Sequence, residues 1–128
     1  MKGKKGHIPK FVLDVHAYYS TFTKKYSKRA RFIKVSEITG RDNTEDPDIY
    51  VRCNAKNLHL ITQNFKDFKK ELKSSVFKRT GVVSIETKKI SDAVEEFGEV
   101  LKAYPNHEDY SKKCIRITKT TFKEVKLS

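Results

Sequence analysis

The sequence predicts one α+β domain, with a mainly antiparallel sheet of about four to five strands packed against two to three helices. Three observations point there. The chain has 128 residues, one domain's worth of length. Its hydrophobic residues, 37% of the total with 8 Phe and 6 Tyr, recur at regular spacings through most of the chain. Helical and alternating segments follow one another without the strict βαβ order of a parallel sheet. Residues 1–9 are expected to be a flexible basic tail and residues 10–128 the single domain.

In the tail, Gly3, Gly6 and Pro9 break regular structure, and Lys2, Lys4, Lys5 and His7 repel one another. Residues 10–28 carry two readings. Phe11, Val15, Tyr18, Phe22 and Tyr26 fall at helical spacing and favour a helix over 12–26. Phe11, Leu13 and Val15 also alternate, as a strand over 10–17 would. Residues 30–38 (ARFIKVSEI) alternate and predict a strand. Ile49–Asn54 (IYVRCN) is its expected antiparallel partner, across the polar, acidic loop Gly40–Pro47.

Leu58, Leu60 and Thr62 alternate like a strand, while Leu58, Ile61, Phe65, Phe68, Leu72 and Val76 fit one helical face. From Asn64 onward a helix is predicted, with Asn64 as its N-cap, Asp67 in its first turn and Gly81 past its end. Val82–Lys88 (VVSIETK) is a strand. Ser91 caps a further helix with Val94, Phe97, Leu101 and Tyr104 on its apolar face, and Pro105 stops it. Cys114–Thr120 (CIRITKT) is a strand that Phe122, Val125 and Leu127 extend or dock against.

Charge is the strongest functional signal. The formal net charge is +12, and charged residues make up 34% of the chain. A balance of this kind speaks to partners rather than fold. The charges are also segregated. Residues 1–34 hold ten Lys and Arg against Asp14 alone, whereas Asp42, Glu45, Asp46 and Asp48 form a tight acidic run. A coat that serves only solubility would mix its signs. Nucleic acid, RNA or single-stranded DNA, is therefore the first expected partner. A basic protein-interaction module in a viral or ribonucleoprotein assembly is another alternative, and a homodimer is left open. No apolar run approaches a membrane span, so no membrane partner is expected. The basic N-terminus lacks an apolar signal region, so the chain is expected inside the cell, cytoplasmic or nuclear and not secreted.

Single-strand binders combine cations for phosphates with aromatics on which bases stack. Arg29, Arg31, Lys34 and Arg52, with Tyr19 and Tyr26, are the expected nucleic-acid-binding residues of such a platform; Tyr18 and Tyr50 are further aromatics of the same kind. Each aromatic taken singly is better explained by a place in the core. The segments KFVLDV, RFIKVSEI, IYV and NFKDFKKEL resemble, in order, pieces of a Pur-type repeat over about residues 10–76. That resemblance, shared with the related Whirly and PC4-like coactivator folds, implies curved antiparallel strands followed by a helix, and binding to single-stranded DNA or RNA. Residues 31–76 also look like the strand–strand–strand–helix part of the small Alu-domain subunits of the signal recognition particle, which implies structured RNA. The long stretch 16–30 and the second half of the chain depart from the Pur pattern.

The expectation is a binder rather than an enzyme, with no cofactor, no metal and no catalytic residue. The enzymatic alternative is a metal-dependent nuclease of the restriction-endonuclease-like class. It rests on Asp48 in EDPDIYV, with Glu86 and Lys88 in VVSIETK. Strand alternation would put Glu86 and Lys88 on one face, as joint metal binding and water activation require. The plainer reading is a surface salt bridge. The acidic run lacks the glycine and distal glutamate of an EF-hand loop. Cys53 and Cys114 have no metal-ligand spacing and are expected as buried free thiols. His7, His16, His59 and His107 show no ligand or triad spacing.

Overall fold

A computed structural model describes residues 7–14, 16–40, 46–63 and 79–126, with residues 16–18, 39, 46–48 and 126 described by backbone alone. The elements are β1 (Lys10–Leu13), α1 (His16–Tyr26), β2 (Arg31–Lys34), α2 (Val35–Thr39), α3 (Asp46–Lys56), β3 (His59–Gln63), β4 (Val82–Ile85), α4 (Ile90–Ala103), a 3-10 turn (His107–Tyr110), β5 (Lys113–Ile117) and β6 (Phe122–Lys126). The strands form one six-stranded sheet in the order β2-β1-β3-β4-β5-β6.

Strands β1 to β5 are all parallel, and only the β5–β6 pair is antiparallel. The expected mainly antiparallel sheet is therefore overturned, and with it the curved antiparallel strands implied by the Pur-type resemblance. The reason lies in burial. Phe11, Val12 and Leu13 of β1 are all buried, as are all four residues of β4 and the first four of β3. Strands covered on both faces read as continuous apolar runs, the mark of a parallel sheet under helices. The β5–β6 hairpin closes through Thr118, whose backbone N–H donates to the Thr121 carbonyl at 2.8 Å.

Helices α1 and α4 cover one face, here the front, where Phe11, Phe22, Tyr26, Phe32, Phe97 and Tyr110 pack together. Phe97 stacks on Phe22 at 4.9 Å and meets Phe11 edge-on at 5.5 Å. Gly98 lets α1 approach: a Cβ there would lie 2.7 Å from the Tyr26 hydroxyl oxygen. On the back, α3 lays Ile49, Tyr50 and Cys53 against Val12, Leu60 and Val82. The β1–α1–β2 and β4–α4–β5 connections both cross the front face yet step along the sheet in opposite directions. They are of opposite hand, so one is the rare left-handed form.

Two predicted strands are corrected. The strand expected over 30–38 ends at Lys34, and residues 35–39 turn into α2. Its first turn is capped by the Glu37 carboxylate, which accepts the Lys34 backbone N–H at 2.8 Å, and Gly40 ends it in the left-handed region at φ 80°. The strand expected over 49–54 lies inside α3. Ile49, Tyr50 and Cys53 are buried while Val51 and Arg52 are exposed, a helical pattern that Asp46-Pro47 introduces. The competing readings of 10–28 both hold in part: a strand over 10–13, then a helix over 16–26. The helix expected from Asn64 onward, the loop acids Asp42 and Glu45, and tail residues 1–6 lie outside the described residues.

Candidate functional site

The expected binding platform does not assemble. Helices cover both faces of the sheet, so its central strands offer no open surface on which bases stack. Tyr26 is 4% exposed and its hydroxyl donates to the Val94 carbonyl of α4, which makes it a core residue. Tyr19 is half-buried beneath the Lys34 ammonium, 4.9 Å from its ring. Arg31 and Lys34 point to opposite faces of the edge strand β2: Phe32, which shares Lys34's face, packs in the front core, and Ile33, which shares Arg31's, packs on the back. Arg29 reaches the Gly98 carbonyl at 3.5 Å and lies 5.8 Å from the Tyr26 ring. Arg52 is on α3 and donates to the Ile38 carbonyl at 3.4 Å. These cations are exposed, but they are spread around one flank of the molecule rather than gathered on one sheet face.

The nuclease set is also not brought together as expected. Asp48 lies in the first turn of α3 rather than before a strand. Glu86 and Lys88 fall beyond the end of β4. Glu86 is committed to Arg116: its two oxygens accept Nε and Nη2 at 2.7 Å each, and Oε2 also accepts the Ser84 hydroxyl at 3.3 Å. Lys88 is exposed.

The topology points to another place. From β1 the chain steps outward to β2 on one side and then to β3 on the other, so strand order reverses at β1. In open parallel sheets, ligands bind beyond the carboxyl ends of the strands at such a reversal. Asp14 is the residue that follows β1 there. Its backbone N–H donates to the Ile61 carbonyl at 2.9 Å, which carries the β1–β3 pairing one residue past the strand and holds Asp14 in place. The Thr62 hydroxyl donates to Asp14 Oδ2 at 3.4 Å. Alternation puts Asp14 and Thr62 on the back face, with Val12 and Leu60.

Helix α3 starts toward the same edge. Its last turn is tied to the start of β3 by the Leu58 N–H on the Cys53 carbonyl at 2.8 Å. Eleven residues of helix span about 16 Å, close to the length of a five-residue strand. The helix therefore starts toward the carboxyl edge, with Asp46 and Asp48 in its first turn. Cys53, on its buried side, has its thiol pushed up by burial first and by the Asp14 carboxylate second. Gln63, at the end of β3, is exposed at this edge. Among the described residues, no group of three or more His, Cys, Asp or Glu is placed to hold a metal ion.

Asp14, Thr62 and Arg116 were not singled out from sequence. A signal existed for the first: an acid that ends the apolar run FVL and precedes a helix. Comparison with known proteins finds no family model, curated protein or solved structure that matches the chain. No helix among the described residues is long and apolar enough to cross a membrane.

Proposed function

We propose that this chain acts on nucleic acid, as a metal-dependent phosphodiesterase of single-stranded RNA or DNA working at the carboxyl edge of the sheet. The observation that carries the reading is the position of Asp14 at the tip of β1, where strand order reverses. Asp48, in the first turn of α3, is a second acid to test. Asp14 would help to hold Mg²⁺ or Mn²⁺, which would supply an activated water and neutralise charge on the phosphoryl oxygens. The net charge of +12 supports a polyanionic substrate.

A second reading, binding without cleavage, is favoured by the exposed cations Lys24, Lys25, Lys28, Arg29, Arg31 and Lys34 along α1 and β2. One experiment separates the two. A labelled single-stranded oligonucleotide is incubated with the protein in Mg²⁺, in Mn²⁺ and in chelator. The expected result is metal-dependent cleavage that Asp14→Asn lowers by a hundredfold or more, on the order of what losing a metal-site group costs, with binding retained. Binding with no cleavage in either metal assigns the second reading instead.

A further inference from the structure

The same edge carries a cationic feature that the proposed reaction does not use. The side chain of Arg116 is 39% exposed and that of Glu86 only 14% exposed. Glu86 is anchored in turn, because its backbone N–H donates to the Ile117 carbonyl at 2.8 Å. A guanidinium has five N–H donors in a fixed plane, and the side-on contact to Glu86 takes the Nε and Nη2 edge. The Nη1 edge is left for another acceptor, and the guanidinium cannot swing to suit it.

The neighbour of Arg116 strengthens the point. Lys123 of β6 is its direct cross-strand partner, and it is exposed. Residues directly opposite share a sheet face, and like charges so placed repel. Among the described residues, Glu86 is ion-paired with Arg116, and Lys123 adds a second cation to the same face. Alternation puts Arg116 and Lys123 on the back face, with Cys114 and Val125 and on the same side as Asp14 and Thr62. From β1 to β5 is three strand steps, about 14 Å. Arg116 is therefore too far to serve the phosphate at Asp14, and it lies along the path of a strand running across the edge.

We infer that Arg116 and Lys123 bind a backbone phosphate of the single strand, further along the chain than the one held at Asp14, with Glu86 as the positioning residue for Arg116. This assignment takes its ligand class from the proposed function above. The pair serves grip and direction: it sets which way the strand lies across β1, β3, β4 and β5.

The test is the salt dependence of binding, measured by fluorescence anisotropy on a labelled single-stranded oligonucleotide in chelator, so that cleavage plays no part. The variants are Lys123→Gln, Arg116→Lys and the paired Glu86→Gln with Arg116→Gln, which leaves no lone carboxylate behind. Lys102→Gln, on the front-face helix α4, is the control. Each lost phosphate contact should lower the slope of log K against log salt by about 0.7. We expect that drop for Lys123→Gln and for the paired variant, less for Arg116→Lys, and none for Lys102→Gln. Circular dichroism checks that each variant is folded. Wild-type binding with an unchanged slope in the folded Lys123→Gln and paired variants overturns this inference alone. No binding by the wild type at low salt overturns it together with the nucleic-acid reading.

Discussion

At the residue scale, the most constrained side chains lie at the opposite, amino edge of the sheet. His59 and His107 stack with ring centroids 4.1 Å apart. His59 Nδ1 accepts the Gly81 N–H at 2.8 Å, so its proton is on Nε2, which donates to the His107 carbonyl at 2.6 Å. His107 Nδ1 accepts the Lys10 N–H at 3.0 Å, and its Nε2 donates to the Asn57 carbonyl at 2.9 Å. A second proton on either ring would meet a backbone N–H and the other imidazole. Burial, then the charge of His107, lowers His59 from 6.5 to about 4. Burial also lowers His107, with Lys10 and His7 adding and the Asn57 and Glu108 contacts opposing. Both rings are thus neutral when folded and gain protons more readily when unfolded. Their contribution to stability is complete above about pH 6.5 and is lost as pH falls toward 4. For His59 the loss by pH 5 is about 2 kcal/mol. Urea midpoints measured from pH 7.5 to 5 should fall accordingly, and fall less in His59→Gln than in the wild type. A flat profile would contradict the locked tautomers.

At the element scale, α3 is where local preference and final structure disagree most. IYVRCN holds Ile, Tyr, Val and Cys, all residues at home in a strand. It is a helix because Ile49, Tyr50 and Cys53 then meet the back of the sheet together, while Val51 stays 51% exposed. That placement has a measurable consequence. On an exposed helix face, Val51→Ala relieves a β-branched side chain and should raise stability by about 0.5 kcal/mol in urea denaturation. Were the segment a strand, the same change would lower it. The position of α3 also matters for the site, since its direction decides whether Asp48 reaches the edge that holds Asp14. The β5–β6 hairpin does the corresponding work on the far side, setting Lys123 across from Arg116.

At the scale of the whole molecule, the sheet is a covered scaffold and its edges and loops carry the chemistry. The cations that were expected on one strand face instead surround α1 and β2, and others flank the carboxyl edge. A single strand that contacts about six phosphates should bind several hundredfold more weakly at 200 mM than at 50 mM salt, from a slope of about 0.7 per contact. Titrations at the two salt concentrations check this directly. Affinity that is indifferent to salt would remove nucleic acid as the partner, and with it the meaning of the +12 charge for function.

The sequence by itself determined the charge balance and those elements whose signals are local. Among these, α4 is legible because Val94, Phe97 and Leu101 repeat at helical spacing and Pro105 follows its end. Strands β4 and β5 are legible from VVSI and KCIRI, although their expected ends ran on past Ile85 and Ile117. Tertiary structure alone decided the direction of strand pairing. A short apolar run looks the same whichever neighbour it joins, and the choice depends on contacts between residues far apart in the chain. It buried Tyr26 under α4 and turned IYVRCN into a helix. It also brought Asp14 against Thr62, 48 residues away, and Glu86 against Arg116, 30 residues away. No periodicity records such meetings, because they are set by strand order and by which face each residue occupies, and both exist only once the sheet is assembled.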